Sequence, residues 1–158
     1  MSHPRIKHIW SVLCGSSVID KESNQMSLHN LVEQLNIESI PQLAPKKTGA
    51  KQPTEINIVN VPLEVVSFFQ RNDNWKNDDC SLNLILELID PSDKVISTGK
   101  FPIAFPKGIK RMRWRTRIQG LKITTSGDYN IRLKMEEGGD LKEISNIPLD
   151  VRFQVKLD

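Results

Sequence analysis

Cysteine is nearly absent from this chain, with Cys14 and Cys80 the two it carries among 158 residues. They form no Cys-x-x-Cys pair, which excludes the usual thiolate zinc sites and redox dithiols. The three histidines, His3, His8 and His29, never fall at His-x-x-x-His spacing. Facing one another on paired strands, His8 and His29 would still be two imidazoles, fewer than a metal site needs. A Gly-x-Ser-x-Gly nucleophile elbow is missing. So is a phosphate-binding Gly-x4-Gly-Lys-Ser/Thr loop, because Lys47-Thr48-Gly49 has the wrong order. A Cys14–His29 dyad would need a thiolate within an apolar strand, where burial disfavours the charge.

Long apolar runs are lacking too. None approaches the roughly 18 residues of a membrane helix. The opening stretch MSHPRIKHIWSVLCGSS has too short an apolar segment, broken at Ser11, for a secretory signal. These absences lead to the expectation of a cytoplasmic, non-catalytic protein with reduced thiols, no cofactor and no membrane span.

What is present is organised around Lys107–Lys122, KGIKRMRWRTRIQGLK. Arg111, Arg113, Arg115 and Arg117 alternate with Met112, Trp114, Thr116 and Ile118. A strand repeats every two residues, so the pattern predicts one β-strand with its apolar side inward and four guanidiniums outward. A helix would scatter the same arginines around its girth. The stretch holds seven Lys and Arg and no acid, whereas the whole chain carries a net charge of only +3, so the remainder is acidic. One basic stripe on a mildly acidic body says more about partners than the total does.

Elsewhere the chain reads as a succession of short strands. Residues 6–19 are apolar and β-branched, with Gly15 placed for a bulge. DKESNQ at 20–25 is a polar connector. In MSLHNLVEQLNI (26–37), Leu28, Leu31, Val32 and Leu35 fit a short helix capped by Ser27. The connector suits a hairpin, and a strand returning on 6–19 is the reading preferred. Residues 41–53, PQLAPKKTGAKQP, form a loop expected to be mobile. Pro62 splits the apolar run 54–70. RNDNWKNDDC (71–80) is a polar loop around Trp75, and 82–89 is a strand. DPSDK is a turn, and 95–105 is a strand interrupted at Gly99 and Pro102. YNIRLKM alternates, Glu137-Gly138-Gly139-Asp140 is a hairpin turn, 141–145 is a short return strand, and PLDVRFQVKLD alternates to the end.

Eight or nine short strands, with at most one short helix, predict a single all-β domain over 1–158, an antiparallel β-sandwich of the Ig-like or C2-like kind. Two segments, SVLCGSSVIDKESNQMSLHNLVEQL and RWRTRIQGLKITTSGDYNIRLKM, resemble an uncharacterised family of prokaryotic domains of about this length. The resemblance implies an Ig-like or C2-like sandwich and transfers no site residue.

Four guanidiniums on alternate positions of one strand would span about 20 Å and could grip successive carboxylates or phosphates. The expected partner is an acidic protein surface, or a second copy of the chain. Nucleic acid is the alternative, although Trp114 faces away from the arginines and aromatic interleaving is poor. Exposed strands also use long charged residues to cover apolar surface and guard edges. Arg132, Lys134, Arg152 and Lys156 would extend the basic face if their strands shared its sheet, and Glu136, Glu143 and Asp150 could neutralise it. Trp75 is a second candidate, as a binding anchor or as a plug on the end of the sandwich. Asp73, Asp78 and Asp79 with Asp90 and Asp93 would make a calcium site for a lipid binder or hydrolase only if their two loops met.

Overall fold

A computed structural model describes residues 5–38, 56–58 and 61–154. The described residues are all-β, with eleven strands and no helix. In chain order these are β1 (Ile6–Ile19), β2 (Met26–Leu31), β3 (Gln34–Glu38), β4 (Ile56–Ile58), β5 (Leu63–Arg71), β6 (Cys80–Ile89), β7 (Val95–Phe105), β8 (Arg111–Ile118), β9 (Leu121–Ile123), β10 (Gly127–Glu137) and β11 (Asp140–Gln154). Sheet A runs β2-β1-β5-β8, sheet B runs β3-β11-β10-β6-β7, and β4 pairs with β9.

The pairings are antiparallel apart from β3, which lies parallel to β11. That exception corrects the expectation of a wholly antiparallel sandwich. It arises within residues 26–37, which are strand as preferred, but in two pieces. β2 returns on β1 through Ile19↔Met26 and Ser16↔His29. The chain then leaves sheet A at Val32, whose N–H donates to the Leu13 carbonyl. It enters sheet B at Glu33, whose carbonyl accepts from the Asp150 N–H. The helical spacing of Leu35 and Val32 reflects this change of sheet, for both pack on the common core.

Other boundaries shift for local reasons. The bulge in β1 falls between His8 and Trp10 rather than at Gly15. Gly99 and Pro102 do not interrupt β7, which is an edge strand hydrogen-bonded to β6 alone among the described residues, so the missing proline N–H costs no ladder bond. The short return strand and the start of the C-terminal one form a single β11 through Pro148, which pairs with Asn130. The β10–β11 turn is as expected, with Gly138 and Gly139 at φ 59° and 88°. The 41–53 loop and Lys156 lie outside the described residues.

Alternation along the strands fills the space between the sheets. Leu13, Val65 and Phe69 come from sheet A, and Leu84, Leu88, Ile131, Leu133, Leu149 and Val151 come from sheet B. Tyr129 buries its ring there and ties down the turn before β10. Its hydroxyl accepts from the N–H groups of Thr124 (2.8 Å) and Thr125 (3.1 Å) and donates to the Thr125 carbonyl (2.7 Å). At the β5–β6 end the largest fully buried side chain is Arg71. Its guanidinium donates two parallel bonds of 2.8 Å to Asp73 and another of 2.6 Å to the Asp78 carbonyl. Asp73 also accepts from Arg5 at 2.9 Å. Those two guanidiniums, that of Arg71 foremost, hold the Asp73 carboxyl down at about 2.

Candidate functional site

Among the described residues β8 is an edge strand of sheet A, and its neighbour β5 runs beside it without a register shift. Directly opposed residues of an antiparallel pair share a face. Four rungs therefore cross the outer face of β1, β5 and β8. They are Lys7–Gln70–Arg111, Trp10–Phe68–Arg113, Val12–Val66–Arg115 and Cys14–Glu64–Arg117. All four arginines end a rung on the outer face, and Trp114 turns inward against Phe101 of β7, with ring centroids 5.3 Å apart. The two-residue rhythm of the sequence holds along the whole strand.

The guanidiniums do not simply stand in solvent. Arg111 donates to the Gln70 side chain at 3.2 Å. Arg113 is half-buried and donates to the Asn24 carbonyl at 2.6 Å, while its Nη1 is buried without a hydrogen bond among the described residues. Arg115 reaches across β5 to the Ser17 carbonyl (3.1 Å) and hydroxyl (3.2 Å). Such a reach lays an aliphatic stem over the middle of the rung, where Val66 is completely buried despite facing outward. Arg117 is 81% exposed and stands 3.8 Å from Glu64, which is 3% exposed and accepts a short hydrogen bond from the Ser17 hydroxyl. Arg113 and Arg115 thus clasp the β1–β2 hairpin, and Arg111 and Arg117 are the freer pair.

The partners are what set the charge. Three of the four arginines bond neutral oxygens, and Glu64 is the one carboxylate within reach among the described residues. A hydrogen bond to a carbonyl satisfies the donor without cancelling its charge, so the strand stays strongly positive. The expected neutralisers lie elsewhere: Glu136 pairs with Lys100, and Asp150 with Arg152, both on sheet B. The extended basic face does not form either, because β10 and β11 belong to sheet B and β8 to sheet A. Arg132 and Lys134 are occupied by Glu87 at 2.6 and 3.1 Å.

Trp75 is half-buried and is not among the residues of the core cluster. The Lys76 and Lys110 ammonium groups sit over its ring at 5.6 and 5.9 Å. Its carbonyl accepts from the Gly108 N–H at 2.7 Å, bringing the loop beside the chain that enters β8. Trp75 therefore adjoins the Lys110 end of the arginine row. The row also gains aromatics that sequence reasoning missed. Trp10 stacks on Phe68, centroids 5.8 Å apart, in the rung that Arg113 ends. They come from two strands far apart in sequence, β1 and β5, so no local spacing announces them. Glu64 did leave a signal, as a lone acid inside the apolar run LEVVSFF.

The remaining candidates separate. Asp73, Asp78 and Asp79 precede β6 and Asp90 and Asp93 follow it, so a strand about 30 Å long stands between the two loops. Asp90 is turned inward, accepting from Ser92, the Lys94 N–H and Thr124. No group of three metal-ligating side chains occurs among the described residues. His29 opposes Ser16 and His8 opposes Phe69, so the two histidines do not meet. Cys14 is a buried free thiol pushed up by burial and then by Glu64, and Cys80 is also free and buried. No helix among the described residues is long and apolar enough to cross a membrane. Compared with models of known protein families and with curated protein sequences, the chain matches none.

Proposed function

We propose that this chain is a non-catalytic interaction module that uses the outer face of sheet A at β8 to bind an acidic protein partner. It would act in the cytoplasm as a sandwich of the Ig-like or C2-like kind, related to the uncharacterised prokaryotic domains it resembles. The observation that carries the reading is the row of four guanidiniums with one carboxylate among them. No cation on β5 lies opposite the arginines, and the charge they keep is available to an acidic surface. Arg117, Arg111 and Trp75 are the side chains placed to contact a partner first, and Trp and Arg dominate binding energy at protein interfaces.

A second reading, nucleic acid, draws on the Trp10–Phe68 stack beside Arg113, since bases stack on such aromatics while arginines hold phosphates. The two readings separate in one experiment. Arg111→Glu with Arg117→Glu is compared with the parent for binding a labelled Glu-rich peptide and a generic single-stranded oligonucleotide, across about 50 to 200 mM salt. A protein-binding module should hold the peptide and lose it on charge reversal. Preference for the oligonucleotide, collapsing as salt rises, would give the function to nucleic acid.

A further inference from the structure

We infer that β8 recognises its partner by strand addition: an extended acidic segment pairs antiparallel along the edge of β8 that faces away from β5, one carboxylate opposite each arginine. This rests on the proposed basic module and specifies how it binds.

One main-chain bond shows which groups of β8 face away from β5. The Arg71 N–H donates to the Lys110 carbonyl at 2.8 Å. That bond fixes the phase of the β5–β8 ladder, because main-chain groups of successive residues point to opposite sides of a strand. With the register unbroken from Gln70↔Arg111 to Leu63↔Ile118, residues 112, 114, 116 and 118 direct their N–H and C=O groups toward β5. Arg111, Arg113, Arg115 and Arg117 direct theirs away from it. Among the described residues no strand lies on that side. Among the described residues, those that present the four charges therefore also present four N–H and C=O sets with no strand beside them.

An antiparallel strand bonding these groups would place its own residues opposite the arginines, side chains on the same outer face. Carboxylates are the complement there. The intervening residues would point inward beside Trp114 and Phe101, and should be apolar. The edge suits this use. β8 holds eight residues with no proline, glycine or bulge, whereas the facing edge strand β7 carries Gly99 and Pro102. A second copy of β8 is the wrong occupant, since antiparallel pairing of two copies sets guanidinium against guanidinium. Main-chain pairing supplies affinity in this mode, and alternate side chains supply specificity.

The probe is an end-capped peptide of alternating Glu and Val, about ten residues, enough to span the strand. Two variants carry N-methyl groups, one on two central Glu amides and the other on two central Val amides. The Glu amides are the ones that would meet Arg113 and Arg115. Methylating them should weaken binding at least about tenfold, while methylating the Val amides leaves it nearly unchanged. Amide hydrogen exchange at Arg113 and Arg115 should slow on binding. If both methylated peptides bind like the parent while Arg111→Glu/Arg117→Glu abolishes binding, strand addition is overturned and the basic platform survives. If no peptide binds, the platform reading falls with it. Protection of Arg113 and Arg115 in a peptide-free dimer would assign the edge to a second copy and overturn the proposal.

Discussion

The outer faces of sheets A and B carry the same kinds of cation on the same alternating pattern, yet they settle their charge differently. On sheet B, Arg132 and Lys134 flank Glu87, Lys100 meets Glu136, and Arg152 meets Asp150. On sheet A, Arg111, Arg113 and Arg115 are held by an amide, a carbonyl and a serine. Both arrangements give each of these cations a partner, although Arg113 Nη1 on sheet A has none among the described residues. Only the first removes the field, so only the second leaves something for a partner to recognise.

Breaking a paired cation should cost most where the pair is deepest. Asp73→Ala would strand the fully buried Arg71 guanidinium, and is expected to lower stability by about 3–5 kcal/mol in chemical denaturation. The same contact gives a pH signature. The folded pKa of Asp73 is depressed to about 2, so its stabilisation is complete above the ordinary carboxylate pKa of about 3.9. It is lost as pH falls through about 2. The melting temperature should fall as pH drops between those limits in the parent, and fall less in Asp73→Asn.

Glu87 comes next, with a side chain 13% exposed. Burial works to raise its pKa, but hydrogen bonds from Arg132 and Lys134 outweigh that and lower it. Glu87→Gln should cost about 1–3 kcal/mol and leave peptide binding by sheet A unchanged. If binding improved, the newly freed sheet-B cations would belong to the site, and the contrast between the faces would be too sharp.

The smallest expected stability change is on sheet A itself. Arg111→Gln with Arg117→Gln should shift stability by less than about 0.5 kcal/mol while weakening peptide binding. A large drop in melting temperature would mean that these two arginines are structural after all. Arg113 and Arg115 are unsuited to that test, because both hold the β1–β2 hairpin through Asn24 and Ser17.

Much of the fold was legible because strands advertise themselves locally. The alternation of Arg111–Ile118 and of Tyr129–Met135 needs no knowledge of neighbours, and the Gly138-Gly139 turn follows from the positive φ it requires. The parallel β3 was not legible. Val32 and Leu35 are apolar wherever they sit, and the crossing between sheets is marked only by main-chain bonds to Leu13 and Asp150. Within the site, the arginine row could be read and the stacked Trp10–Phe68 pair could not, since a rung is assembled from strands dozens of residues apart.

The order of residues alone determined that 111–118 would be extended, with cations on one side and Trp114 on the other. A period of two admits no other segregation in a strand. Which sheet that strand joined, that it lay at an edge, and that its charges met carbonyls rather than carboxylates were decided only in three dimensions. Pairing and burial are relations between distant segments, and a charge is cancelled or kept according to which of them arrives beside it.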